Sequence, residues 1–134
     1  MNFQEQLNDI QSKSVNFPPS NILLSQKVYS DLVLAKKWKN VEYKPVNGLE
    51  ICVFLANEPE LSTPSIHKLI ILPIFQDTEQ LSLKRISNIF EVLSTTQVID
   101  TPIEKFTIAI YSTDSTIVYY HISKGLIKAT QRNK

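Results

Sequence analysis

The clearest periodicity in the chain lies in residues 105–125, KFTIAIYSTDSTIVYYHISKG, where Phe106, Ile108 and Ile110 alternate with Thr107, Ala109 and Tyr111. That period of two, followed by the β-branched and aromatic run over 117–122, predicts two strands. Between them Ser112, Thr113, Asp114 and Ser115 bond readily to their own backbone and let one residue turn left-handed, so the hairpin closes without glycine. On the second strand both alternating sets are large and mostly apolar, Ile117 with Tyr119 and Val118 with Tyr120 and Ile122. Both faces therefore call for cover. Few residues follow Gly125, so the expectation is that a partner supplies part of that cover.

Upstream the period changes. Over residues 21–37, Leu24, Val28, Leu32 and Ala35 recur at helical spacing, with Ile22, Tyr29 and Val33 widening the stripe. This predicts an amphipathic helix packed on a core, with Ser20 as its N-cap. Residues 1–18 are thinly apolar and end at Pro18 and Pro19, which predicts a flexible N-terminal arm, dispensable for folding. Trp38, Val41 and Tyr43 alternate as far as Pro45, and Asn47 with Gly48 predicts a turn into Leu49, Ile51, Val53 and Leu55. An exposed loop carrying Pro59 and Pro64 follows, then an apolar strand over 68–74 with Pro73 near its end. Ser82 is the predicted N-cap of a second helix in which Leu83, Ile86, Ile89, Phe90 and Leu93 share a face. Lys84, Arg85, Asn88 and Glu91 oppose them, and the helix is expected to fray into Ser94, Thr95 and Thr96. The predicted fold is α+β, a mixed or antiparallel sheet with two main helices.

Composition narrows the function more than the fold. The 134 residues suit a single domain, and 43% hydrophobic with 20% charged residues is the make-up of a globular protein. A net charge of +1 gives no global pull toward nucleic acid or anionic membrane. A lone Cys52 in an apolar run reads as a small hydrophobe in a reducing compartment. No run approaches the ~18 apolar residues of a membrane span, and the opening MNFQEQLNDIQSKS lacks a secretory signal. Nucleus or cytosol is the expected location.

His67, His121 and Cys52 are too few and too scattered for a zinc site. Gly48 and Gly125 are the only glycines, so no Gly-rich phosphate loop exists, and no nucleophile elbow is visible. No metal, no cofactor and no catalytic residue are expected. A metal-independent ribonuclease would use Tyr, His and Lys together. His67 has Lys84 and Lys105 downstream, whereas His121 has only tail lysines after it, and neither has a full set. Two basic stretches remain as candidate RNA contacts: Lys36, Lys37 and Lys39 around Trp38, and Lys128, Arg132 and Lys134 in the tail. The first also complements a helix C-terminus.

The run FTIAIYSTDSTIVYYHISKGL resembles the C-terminal signature of the smallest, non-catalytic subunit family of the eukaryotic tRNA-splicing endonuclease, of fungal type. That signature is a hydrophobic strand, an acidic polar turn, TIVYY, then a glycine. VYSDLVLAKKW followed by NGLEICVFL, and HKLIILPI leading into LSLKRISNIFEVL, keep the family order, so the similarity spans roughly residues 22–128. The resemblance implies one nuclease-like domain over 19–134 with a basic tail, in a complex that removes introns from precursor tRNA. Other subunits of that complex carry the Tyr, His and Lys active sites. This chain would be the structural partner of the subunit that cuts the 3′ splice site, reaching precursor tRNA through the complex. Fungal relatives add the outer mitochondrial surface as a location. His121, directly after Tyr120, departs from the signature and reads as a tolerated strand position.

The family's tail-to-tail pairing of such domains, with the apolar faces of the last hairpin, nominates a subunit contact. Its residues are Phe106, Ile108, Ile110, Ile117, Val118, Tyr119, Tyr120 and Ile122. The same surface predicts a homodimer when the chain is alone. Tyr119 and Tyr120 point to opposite faces, and the sequence leaves open which is internal. Two rival readings stand beside this one: an RNA-binding accessory module using residues 36–39 and the tail, and a metal-independent ribonuclease.

Overall fold

A computed structural model describes residues 2–57, 69–76, 82–99 and 103–123. Two helices open the chain, α1 (Phe3–Lys13) and α2 (Pro19–Ser30), and α2 runs into a π-turn at Asp31–Ala35. Strands β1 (Lys39–Val46), β2 (Ile51–Asn57) and β3 (Leu69–Phe75) follow, then α3 (Leu83–Thr96), β4 (Lys105–Tyr111) and β5 (Ile117–Ser123). The strands form one sheet in chain order, antiparallel throughout except for the parallel pair β3 and β4. This is an α+β fold with a mixed sheet.

Register decides which residues share a layer. Tyr43, Phe54, Ile71, Thr107 and His121 form one row across the sheet. Tyr29 of α2 meets Tyr43 edge-on at 5.7 Å and Phe54 at 5.9 Å, so α1 and α2 cover that face. On the opposite face Phe90 of α3 meets Phe106 edge-on at 4.9 Å. The central strand β3 is buried from Ile70 to Ile74, as a strand between two helical layers must be, and it is apolar without alternation for the same reason.

The expected flexible N-terminal arm is a docked helix. Asn2 and Glu5 make a capping box, the Asn2 side chain accepting from the Glu5 N–H at 2.8 Å and Glu5 accepting from the Asn2 N–H at 2.9 Å. Ile10 is fully buried, Phe3 stacks on Tyr29 at 5.9 Å, and Asp9 accepts from the Tyr43 hydroxyl at 2.7 Å. Pro18 and Pro19 turn the chain between α1 and α2 without separating the helices. Pro18 is the N-cap and Pro19 the first helical residue, a position where its missing N–H costs nothing, so Ser20 is not the cap.

Other boundaries also moved. Helix α3 begins at Ser82, whose hydroxyl accepts from the Arg85 N–H at 3.1 Å, but it does not fray at Ser94 to Thr96. It continues through them and stops at Gln97 in the left-handed region, with Thr95 bonded back to the Glu91 carbonyl at 2.8 Å. In the first hairpin the left-handed residue is Glu50 (φ 55°) rather than Gly48. Gly48 is needed for space instead, because a Cβ there would stand 2.8 Å from Val92 Cγ1 of α3. The last turn matches expectation: Ser115 is left-handed (φ 73°), and Asp114 accepts from the Thr116 N–H at 3.1 Å and its hydroxyl at 2.7 Å.

Two stability outcomes follow from this packing. Ile10→Ala removes fully buried atoms and should cost roughly 2–5 kcal/mol in chemical denaturation, where an undocked arm would give no change. Gly48→Ala should cost about 1–3 kcal/mol by overpacking against Val92, and most of that loss should be recovered in the Gly48→Ala, Val92→Ala double variant.

Candidate subunit interface

The sheet has two outer strands, and they are built differently. Strand β1 carries Pro45, which lacks an N–H, the charges of Glu42 and Lys44, and a register break between Lys39 and Glu42. These are the features that discourage a further strand from pairing. Strand β5, IVYYHIS, has no proline, no Lys, Arg, Asp or Glu, and pairs with β4 in unbroken register from Lys105 with Ser123 to Tyr111 with Ile117. An edge strand aims half of its N–H and C=O groups away from its neighbour, so among the described residues β5 is the edge open to another strand.

One face of β5 is held internally. The Tyr119 hydroxyl donates to Asp31 Oδ2 at 2.6 Å, its ring stacks on Trp38 at 6.0 Å, and Lys36 Nζ lies 5.5 Å from its centre. The π-turn sets this up. Lys36 N–H reaches back to the Asp31 carbonyl at 2.8 Å, Lys37 turns left-handed (φ 56°), and the Trp38 N–H donates to the Leu32 carbonyl at 2.9 Å. The extra residue in that turn swings Lys36 and Trp38 over β5. Burial, and then the bond to Asp31, hold the Tyr119 phenol well above its ordinary pKa. Beside it His121 Nδ1 lies 2.8 Å from the hydroxyl of buried Thr107.

The other face of β5 is open at Val118 (43% exposed) and Tyr120 (52% exposed), flanked by half-buried Ile110 and Ile122. Thus Tyr119 is the internal tyrosine and Tyr120 the outward one. Phe106 and Ile108, nominated from sequence as contact residues, are core under α3 and offer no surface. Ile117 is half-buried on the Tyr119 side. Of the two faces of β5 expected to need cover, one is thus covered from within the chain. What sequence reasoning missed is that the helix end around Asp31 to Trp38 supplies it.

The remaining candidates fall as follows. Lys36 and Lys37 are exposed, Lys36 against Tyr119, and Lys39 opens β1. Lys128, Arg132, Lys134 and His67 lie outside the described residues. Burial raises the pKa of the Cys52 thiol, which is fully enclosed 3.1 Å from Ser14 Oγ. Among the described residues no three His, Cys, Asp or Glu side chains gather as a metal set, and no helix is long and apolar enough to cross a membrane.

A family model described as Sen15 protein matches residues 27–133. The chain belongs to the Sen15 family. That is the small-subunit family of the tRNA-splicing endonuclease, so the chain is a subunit of that enzyme and associates with its other subunits. No curated protein matches the chain. The Sen15 match includes the π-turn and all five strands, while α1 precedes it.

The Tyr119 contact makes a pH prediction. Its folded-state pKa is raised above the ordinary 10.0, as are those of Tyr29 and Tyr43, so the stability these phenols give is complete below about pH 10 and falls as the unfolded chain ionises above it. Tyr119→Phe should lose about 1–3 kcal/mol at neutral pH and show a shallower alkaline decline in urea titrations. Equal slopes would mean that the hydroxyl is not held as described.

Proposed function

We propose that this Sen15-family chain is a non-catalytic structural subunit of the tRNA-splicing endonuclease, pairing through β5 with the subunit that cleaves the 3′ splice site. The observation that carries this is the open, uncharged β5 edge with Val118 and Tyr120 outward, set against a β1 edge blocked by proline, charge and a register break. Joining β5 to a strand of the partner satisfies the edge and covers an outward tyrosine, a residue type that brings large contact area with a polar tip. A role without chemistry is supported by the environment of His121, whose ring is engaged by Thr107. In this reading the chain acts by completing and orienting its catalytic neighbour, in the nucleus or at a cytosolic surface. Alone, it offers the same edge to a second copy about a two-fold axis.

Replacing Tyr120 or Val118 by Asp should leave the circular dichroism spectrum and melting temperature near wild type. Each should weaken association with the other subunits at least roughly tenfold, the cost of burying an unpaired charge at an interface. Tyr119→Asp, which sets a second carboxylate against Asp31, should instead lower the melting temperature. Light scattering and co-purification report both. Undiminished association of the Tyr120→Asp and Val118→Asp variants would place the contact elsewhere.

A further inference from the structure

A cavity of about 660 Å³ opens at the carboxyl ends of β3 and β4, between the start of α2, the β1–β2 turn and the first half of α3. The topology creates it. Two parallel strands end side by side, stitched by the Gln76 N–H donating to the Tyr111 carbonyl at 3.1 Å, and the chain leaves one of them toward α3. Crevices outside the carboxyl ends of parallel strands are where α/β sheets bind ligands.

The walls divide by chemistry. Phe75 and Tyr111, the last residues of β3 and β4, are register partners whose half-buried rings meet edge to face at 6.2 Å. They give an aromatic platform. Across from them α3 contributes Arg85 and, at i+3, Asn88, a guanidinium and an amide at the spacing that puts both on one helix face. Ser20 and Ser112 also line the cavity, and Leu24, Leu49, Ile51, Leu72 and Ile74 give it an aliphatic part. Among the described lining residues Glu50 is the only carboxylate. Its backbone is fixed by the Asn21 amide, which donates to the Glu50 carbonyl at 2.8 Å.

We propose that this cavity binds one unstacked ribonucleotide of an RNA strand. The base lies against Phe75 and Tyr111, the phosphate is held by Arg85 and Asn88, and the sugar faces the serine hydroxyls. Single-stranded RNA is read in this way, by aromatic stacking of splayed bases with cations on the backbone. A peptide from a partner would be suited by a deeper apolar groove. The lining here mixes aliphatic residues and an aromatic pair with amide and hydroxyl residues and one guanidinium, which fits the apolar faces of a base beside the sugar and phosphate of a nucleotide. That the ligand comes from RNA rests on the chain being a tRNA-splicing endonuclease subunit. The cavity is nonetheless separate from the outward face of β5, so the pairing and nucleotide readings fail independently.

The test uses the full chain, ¹⁵N-labelled, titrated with adenosine monophosphate, adenosine and inorganic phosphate. The nucleotide should give saturable shifts concentrated at Ser20, Gly48, Gln76, Tyr111 and Thr113, with adenosine and phosphate each binding roughly tenfold more weakly or less. Arg85→Gln should weaken the nucleotide roughly tenfold, and Glu50→Gln should not weaken it. Should Arg85→Gln fail to fold, Asn88→Asp, on an exposed helix position, carries the same expectation. Tyr120→Asp should bind nucleotide as wild type does. The proposal is overturned if no saturable shifts appear there, if phosphate alone binds as well as the nucleotide, or if added endonuclease subunits occupy the cavity and exclude nucleotide.

Discussion

The parallel pairing of β3 with β4 is the constraint on which the rest of the molecule depends. Parallel neighbours cannot be joined by a tight turn, so the chain must cross over the sheet, and it does so through α3. Both strands are then interior and must be covered on two sides, with α3 on one face and α1 and α2 on the other. Two consequences follow directly. The carboxyl ends of β3 and β4 stand together and form the cavity. The β4–β5 hairpin is carried outward, leaving β5 at the edge.

That edge is rigid on one side and available on the other. Tyr119 is tied to Asp31 and stacked by Trp38, so β5 cannot roll on β4 without breaking a hydrogen bond to a carboxylate. Val118 and Tyr120 are presented on a strand already paired with β4 in unbroken register. Pre-ordering of this kind lowers the entropic cost of pairing with another chain. For a subunit of the Sen15 family, whose enzyme is a multi-subunit assembly, the structural logic is that of a module shaped to be joined.

Much of this was legible in the sequence because it rests on local periodicity. The alternation in residues 105–111, the glycine-free turn with its left-handed Ser115, and the Ser82 cap of α3 are all set by neighbouring residues. The errors arose where distant parts of the chain meet. Helix α1 looked too polar to fold because its apolar residues, Phe3, Leu7 and Ile10, are few, yet they reach Tyr29 and the sheet, and its Asn2–Glu5 capping box was there to be read. Gly48 looked like a turn glycine, but its role is defined by Val92, far along the chain. Tyr119 and Tyr120 are adjacent and alike, and only the π-turn separates their roles. A local insertion in a helix leaves no periodic signature strong enough to reveal which strand it will touch.

Pairing of another subunit with β5 is measured most directly by amide hydrogen exchange. Exchange should be recorded on the chain alone and in the assembled splicing endonuclease, with residues 39–46 of β1 as the internal reference. Pairing at β5 predicts marked slowing across residues 117–123 on assembly, as outward N–H groups gain partners, with β1 unchanged. Slowing at β1 with β5 unaltered would contradict it.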